Sequence, residues 1–277
     1  MTSTYLPDGA RLAFNDAGAG LPVVFLHPTP LDHDYWRPLT QNLAGVRAIV
    51  PDLRGHGGSQ LGALLPVGGF TRVPDAPVLT MEQLAVDVLS LLDHLEVEEA
   101  AFAGCSIGGY VLLELWRKAP QRMRGLAFVC SKPQSDAEAN LLKRVATIAQ
   151  AQAGGAEALY DGMAQSLIAA TARHRNPEIV SELRARMTLT PEALVAVQAG
   201  LATRPDSVPT VATITAPILA IAGGEDSAVT PADMEAFRVA PGGCEFHLLP
   251  DAGHFAAYEQ PQKLAALFAI WLKQFQA

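Results

Sequence analysis

The sequence predicts an α/β fold built on a doubly wound, mostly parallel sheet that carries one helical insertion. Short apolar runs alternate along the chain with segments of helical periodicity, which is typical of a sheet covered by helices on both faces. Runs such as 23–27 (VVFLH) and 218–224 (ILAIAGG) are continuously apolar, as expected for strands buried on both faces of a parallel sheet. The stretch 131–208 contains no run of this kind, which predicts that it forms helices.

The strand candidates and helix candidates follow one another along the chain. The strand candidates, in chain order, are 5–18, 21–27, 47–52, 100–105, 125–130, 216–224 and 244–254. The helix candidates, taken from the spacing of apolar residues, are about 80–95, 107–118, 231–239 and 261–275. Thr80 is a suitable N-cap for the first of these helices, because its side-chain oxygen can accept an N–H of the first turn.

The insertion has the pattern of Ala-rich amphipathic helices interrupted by a Gly-Gly pair and by prolines. A structureless loop of this length is uncommon in a compact domain. The sequence therefore predicts an α/β core of residues 1–130 and 209–277 and a helical cap of residues 131–208. Most of the apolar side chains of the cap, with Leu141, Leu142, Val145 and Ile148 among them, are predicted to pack on the core or to line a mainly apolar pocket.

The composition is that of a globular protein, with hydrophobic residues at 49% and charged residues at 17% of 277 positions. The net charge of −8 argues against a nucleic acid or an anionic membrane as partner. Cys105, Cys130 and Cys244 lack the spacing of a metal or disulfide framework, and the histidines form no ligand-spaced set, so no metal is expected. The N-terminal segment lacks the layout of a signal peptide, and no apolar run approaches the roughly 18 residues of a membrane span. A cytoplasmic location is the resulting expectation.

Ser106 lies at the apex of a glycine-rich turn between a predicted strand and a predicted helix. The sequence there is GCSIG, with Gly104 two residues before the serine and Gly108 two residues after it. Glycines are needed where a strained apex brings strand and helix backbones close together. This spacing is that of the G-x-S-x-G nucleophile elbow, which exposes a serine hydroxyl at a helix N-terminus. The alternative is an ordinary turn in which Ser106 serves only as the N-cap.

Polar side chains follow the ends of several predicted strands, where ligand sites of open α/β sheets lie. Ser106, Asp226 and His254 occur at such ends in the chain order serine, acid, histidine.

Five motifs, in this order along the chain, give it a resemblance to the α/β-hydrolase superfamily over almost its whole length. They are FLHPTPLDHDYW, PDLRGHGGS, GCSIGGY, IAGGEDSAVTP and LPDAGHFAAYEQP. More narrowly, GCSIGGYVLLELW and SKPQSDAEAN are similar to bacterial esterases and lactonases of the 3-oxoadipate enol-lactonase type.

The resemblance implies a catalytic triad. Ser106 would be the nucleophile, His254 the base that takes its proton, and Asp226 the acid that orients His254. The acids that stay open as alternatives to Asp226 are Glu225, Asp251 and Asp136.

The resemblance also implies an oxyanion hole made of two backbone N–H groups, that of Ile107 and one from the loop after His27. Relatives usually have glycine after this histidine, whereas the present chain has Pro28. Because Pro28 and Pro30 have no N–H, Thr29 is the expected second donor.

These residues predict a serine hydrolase that needs no cofactor and cleaves a carboxylic ester or lactone of small to medium size through an acyl-enzyme. The expected partner is the small-molecule substrate, and self-association into a homo-oligomer is left open. Three alternatives remain on the same scaffold: a C–C bond hydrolase, a cofactor-free perhydrolase, and a receptor that binds a small molecule without turnover. Turnover of simple esters separates the enzymes from the receptor.

Overall fold

The computed structural model describes residues 1–64 and 76–276, and the strands of this part of the chain form one eight-stranded sheet. The strands are β1 Thr2–Tyr5, β2 Arg11–Gly18, β3 Leu21–Leu26, β4 Val46–Pro51, β5 Ala100–Cys105, β6 Met123–Val129, β7 Ile218–Gly223 and β8 Cys244–Leu249. Their order across the sheet is β1-β2-β4-β3-β5-β6-β7-β8. The pairs β1–β2 and β2–β4 are antiparallel and the remaining neighbours are parallel. The predicted mostly parallel sheet is confirmed.

The prediction of one strand over 5–18 is wrong at its beginning, because a turn separates β1 from β2. Gly9 lies in this turn with φ of 81°, a left-handed conformation that glycine adopts without steric cost. The Leu6 N–H donates to the Ala10 carbonyl at 2.9 Å and closes the turn. The chain therefore reverses direction and adds two antiparallel strands to one edge of the sheet.

The predicted helices of the core are found with small differences at their ends. The helices of the described residues are α1 Arg37–Thr40, α2 Met81–His94, α3 Ile107–Lys118, α4 Glu138–Gln152, α5 Ala156–Leu167, α6 Ala170–Arg175, α7 Ile179–Ala185, α8 Pro191–Thr203, α9 Val208–Val211, α10 Pro231–Met234, α11 Ala256–Glu259 and α12 Pro261–Leu272. Thr80 caps α2 by accepting the Gln83 N–H at 3.0 Å. The helix predicted over 231–239 consists of α10 followed by a 3₁₀ helix over Glu235–Val239. Across the described residues, no helix has the length and apolar character that a membrane crossing requires.

The helices α4 to α8, called the inserted helices below, lie between β6 and β7 in the chain. One of them, α8, packs closely on the segment before α2. The Leu79 N–H donates to the Ala196 carbonyl at 3.0 Å. A Cβ atom at Gly200 would lie 1.7 Å from the Leu79 carbonyl oxygen, so this approach requires glycine. The division of the chain into a core and a cap stays a prediction.

Of the apolar side chains of α4, Ile148 is buried and Leu141 packs against the core, while two others lie in water. Leu142 is 63% exposed and Val145 is 44% exposed. Another face of the helix carries an ion pair. Arg144 pairs with the buried carboxylate of Asp136 and donates to Gln198 Oε1 at 2.9 Å. This pairing points a polar face of α4 toward the interior and leaves part of its apolar surface in water.

Candidate active site

Ser106 occupies a strained turn between β5 and α3. Its backbone has φ of 52° and ψ of −116°. This conformation is unfavourable in free energy for any residue that has a Cβ atom. The turn is held by the Ser106 N–H, which donates to the Val129 carbonyl at 3.2 Å, and by the Ser131 hydroxyl, which donates to the Ser106 carbonyl at 2.9 Å. The surrounding structure thus enforces the conformation that places Ser106 at the start of α3.

The glycines of the turn are explained by contacts that leave no room for a side chain. A Cβ atom at Gly104 would lie 2.4 Å from the Gly108 carbonyl carbon. A Cβ atom at Gly108 would lie 2.3 Å from the Leu26 carbonyl oxygen at the end of β3. Strand, helix and the neighbouring strand end therefore meet at backbone distance around Ser106, which is the geometry that the G-x-S-x-G spacing predicts.

His254 is hydrogen-bonded to Asp226. The Nδ1 atom of His254 lies 2.8 Å from Asp226 Oδ2, and both side chains are nearly or fully buried. Burial disfavours the imidazolium, but the Asp226 carboxylate outweighs this effect and raises the pKa of His254 above its ordinary 6.5. Because a carboxylate can only accept, Nδ1 carries the proton of the neutral ring, and Nε2 is left as the basic nitrogen.

The second oxygen of Asp226 is also fixed. Asp226 Oδ1 accepts the backbone N–H groups of Ala228 at 2.8 Å and Val229 at 3.1 Å. These two bonds orient the carboxylate so that Oδ2 faces the histidine. The turn after β7 therefore holds the Asp226 side chain in one position.

The alternative acids of the sequence analysis have other partners in the structure. Glu225 accepts the hydroxyl and, at 3.1 Å, the backbone N–H of Thr171. Asp136 pairs with Arg144 and with Arg204. The side chain of Asp251 is 46% exposed and lies 3.8 Å from Arg175. Among the described residues, the carboxylate that bonds to a ring nitrogen of His254 is that of Asp226.

Glu259 is a buried acid that the sequence analysis missed. Its carboxylate accepts the backbone N–H groups of Gly253 at 2.9 Å and Phe255 at 3.0 Å, on either side of His254. It also accepts the N–H of Ala169, in the linker from α5 to α6, at 3.0 Å. Burial raises the pKa of this carboxyl. Its presence five residues after His254, in an otherwise apolar stretch, is the signal that could have identified it.

The loop after β3 is held by two buried histidines. His27 Nε2 accepts the Leu53 N–H at 2.9 Å, and His56 Nε2 lies 3.1 Å from the Thr29 hydroxyl oxygen. Burial lowers the pKa of His56 to about 3, so this ring is neutral. Within residues 1–64 and 76–276, the backbone N–H groups of Thr29 and Ile107 donate to no protein acceptor. Both donors are therefore available to a ligand.

A cavity of about 440 Å³ brings Ser106, His254 and Thr29 together. The inserted helices supply much of the remaining lining. Apolar contributions come from Met163, Leu167 and Leu201, and polar ones from Asn140, Lys143, Arg144 and Thr147. The lining surface is more apolar than polar, as expected, and the polar side chains of α4 that share it were not predicted.

The sheet, the elbow and the histidine–aspartate pair define a class of protein. The sequence model of the Alpha/beta hydrolase family matches residues 23–267, and the chain belongs to this family. Within it, the chain is 27% identical over 263 residues to 3-oxoadipate enol-lactonase 1 of Acinetobacter baylyi, covering 92% of this chain and 89% of that protein.

Two further relatives bear on the chemistry. The solved structure of a thermophilic esterase from Thermogutta terrifontis, with malate bound, is 31% identical and superposes with a TM-score of 0.88 over 100% of this chain and 98% of that one. The putative non-heme bromoperoxidase BpoC of Mycobacterium tuberculosis is 25% identical over 91% of this chain and 94% of that protein. The chain is thus an alpha/beta hydrolase with relatives of esterase and lactonase type.

Proposed function

We propose that the protein is a serine hydrolase that cleaves a carboxylic ester or lactone of small to medium size through an acyl-enzyme. The observation that carries this proposal is the hydrogen bond from His254 to the buried Asp226, in a cavity that also contains the elbow residue Ser106. The esterase and lactonase names of the relatives support the same class of substrate.

The first half of the reaction forms the acyl-enzyme. The Ser106 oxygen attacks the substrate carbonyl while His254 Nε2 takes the hydroxyl proton. Asp226 keeps Nδ1 protonated and stabilises the imidazolium that forms. The N–H groups of Thr29 and Ile107 donate to the oxyanion, and the α3 N-terminus favours its negative charge. His254 then passes the proton to the leaving alkoxide, which departs as the alcohol.

The second half regenerates the enzyme. His254 removes a proton from water, the resulting nucleophile attacks the acyl carbonyl, and Ser106 leaves with the proton that His254 returns. In a lactone the leaving hydroxyl stays attached to the acyl group, so a single hydroxy acid is released. The inserted helices act as a cap that roofs this site and limits the size of the acyl chain.

A panel of p-nitrophenyl esters from acetyl to hexadecanoyl tests the proposal. We expect steady turnover that is most efficient for the shorter acyl chains, because the cavity of about 440 Å³ holds only a small or medium ligand. A receptor would bind without turnover, and highest efficiency on dodecanoyl or longer chains would contradict the roofed cavity.

The similarity to BpoC favours perhydrolysis as a second candidate, in which hydrogen peroxide attacks the acyl-enzyme in place of water. Adding peroxide and bromide to the assay and measuring bromination separates the two.

The pH dependence of hydrolysis follows from the state of His254. The neutral ring is the base, so kcat/KM should rise with pH through the pKa of His254 and be lost below it. Burial alone would lower this pKa, but the carboxylates of Asp226 and Glu259 raise it above 6.5. We therefore expect the acidic limb of the kcat/KM profile to have its midpoint above 6.5. A midpoint below this value would show that burial outweighs the two carboxylates in setting the pKa of His254.

A further inference from the structure

Glu259 is a buried acid in direct contact with the loop that carries His254. Its Oε2 accepts the Gly253 N–H at 2.9 Å, and its Oε1 accepts the Phe255 N–H at 3.0 Å. These bonds fix the peptide groups on either side of the histidine. Among the described residues no lysine or arginine pairs with Glu259, so backbone N–H groups are what stabilise its charge.

The Glu259 carboxylate also holds the inserted helices. Its Oε2 accepts a second N–H, that of Ala169 between α5 and α6, at 3.0 Å. Beside this bond, the Leu167 carbonyl accepts the His254 N–H at 2.8 Å. A Cβ atom at Gly253 would lie 2.5 Å from the Ala169 nitrogen, so the two backbones leave room only for glycine. The histidine loop is thus fastened directly to the inserted helices.

The segment 166–171, which runs from the end of α5 into α6, is fastened to the turn that carries Asp226 as well. Glu225, in that turn, accepts the Thr171 hydroxyl and, at 3.1 Å, the Thr171 N–H. The segment therefore connects the two loops whose side chains form the bond between Asp226 and His254. A shift of the histidine loop relative to this segment would lengthen or misalign that bond.

The charged groups that act on the His254 ring are the carboxylates of Asp226 and Glu259, and both raise its pKa. The thiols of Cys105, at the end of β5, and Cys130, directly after β6, lie against the same loop and are uncharged, because burial raises the pKa of each. The other charged side chains of the cavity lining are those of Lys132, Asp136, Lys143 and Arg144. Removing the charge of Glu259 should therefore lower the pKa of His254.

We propose that Glu259 is a positioning residue for His254, whose carboxylate fixes the loop that carries the ring and fastens that loop to segment 166–171. This inference rests on the proposed ester hydrolase, in which His254 is the base. The cavity lining does not include Glu259, so it acts through the histidine and not on the substrate. Because its three partners are all N–H donors, a carboxylate is required. An amide would turn its own NH₂ group toward one of them.

Glu259→Gln tests this role by replacing the carboxylate with an amide of the same size. We expect kcat to fall by about 10- to 100-fold, since a small displacement of a catalytic group has an effect of this order. KM should stay within about threefold of the wild type, because the cavity lining is unchanged.

Glu225→Gln is the matched control. It makes the same change in a carboxylate that holds the same segment, but its partner Thr171 has a hydroxyl that can accept from an NH₂ group. The amide can therefore keep both contacts, and kcat should stay within about threefold of the wild type.

Proton NMR reads the position of His254 without catalysis. The Nδ1 proton, held in the bond to Asp226, gives a far-downfield resonance, which is assigned by its absence in His254→Gln. We expect this resonance to shift or broaden in Glu259→Gln and to be unchanged in Glu225→Gln. The pKa of His254, read from its ring resonances, should be lower in Glu259→Gln, and the acidic limb of kcat/KM should move to lower pH with it.

Glu259→Asp keeps the charge but shortens the reach of the carboxylate. The pKa of His254 should stay close to the wild type, and part of the kcat lost in Glu259→Gln should be recovered. Thermal unfolding verifies that each variant is folded. If Glu259→Gln does not fold, Glu259→Asp decides alone, and a kcat and a downfield resonance equal to those of the wild type overturn the proposal.

The two proposals fail in different ways. A displaced downfield resonance in Glu259→Gln supports the positioning role, even if no ester is turned over and the hydrolase proposal fails. Turnover by the wild type, with kcat, the resonance and the pKa of His254 all unchanged in a folded Glu259→Gln, overturns the positioning role and leaves the hydrolase proposal standing.

Discussion

Ser106→Ala is expected to lower kcat/KM for p-nitrophenyl butyrate by about three to six orders of magnitude. The variant removes the nucleophile and leaves the cavity and the N–H donors in place, so substrate binding should persist while acyl transfer stops. Alanine carries the same Cβ atom as serine and has the same strain at φ of 52°. The free energy of unfolding should therefore change little, and urea denaturation beside the kinetic assay separates a catalytic defect from a folding defect.

A second serine of the cavity supplies the matched control. Ser227 lines the same cavity, and its hydroxyl donates to the Ser166 carbonyl at 2.8 Å. Ser227→Ala should reduce kcat/KM by less than about tenfold, since it removes one peripheral hydrogen bond. If Ser106→Ala kept more than about a tenth of wild-type kcat/KM, Ser106 would not be the nucleophile.

Asp226→Asn is expected to reduce kcat by about two to four orders of magnitude while the fold is retained. The reason lies in the bonds that Oδ1 accepts from the N–H groups of Ala228 and Val229. An asparagine must keep its carbonyl oxygen toward those two donors, so its NH₂ group faces His254. Nδ1 then becomes the acceptor, the proton moves to Nε2, and the ring can no longer take a proton from Ser106.

Asp251→Asn is the control for Asp226→Asn, because Asp251 is half-exposed and removing its charge disturbs only loose ion pairs near 4 Å. We expect kcat for Asp251→Asn within about threefold of the wild type. Asp136→Asn is unsuitable as a control, since it would leave Arg144 and Arg204 without a carboxylate. Greater loss of kcat in Asp251→Asn than in Asp226→Asn would overturn the assignment of the acid.

The sheet and the elbow could be predicted because their physical causes lie within short stretches of sequence. The continuous apolar run of β7, from Ile218, is buried along its whole length, as its composition requires. Gly104 and Gly108 are dictated by contacts made within the same turn or with the adjacent strand end. The turn between β1 and β2 was missed because Gly9 was included in a run that also satisfied the strand pattern.

The positions of the charged side chains in and around the cavity depend on contacts between distant parts of the chain. The side chain of Glu225 bonds to Thr171, whereas that of its neighbour Asp226 bonds to His254. The spacing of the sequence alone does not show which of the two acids contacts the histidine. The orientation of α4 combines its ion pair with Asp136 and the burial of Ile148 and Ala151, so its apolar periodicity alone does not determine it.

Labelling with a fluorophosphonate, which phosphonylates an activated serine irreversibly, tests directly whether Ser106 is the nucleophile. After incubation, digestion and peptide mass spectrometry locate the adduct. We expect one adduct, on the peptide that contains Ser106, with loss of esterase activity in proportion to labelling and no adduct in Ser106→Ala. An active preparation that carries no adduct at Ser106, or that loses its activity through an adduct on another residue, would contradict it.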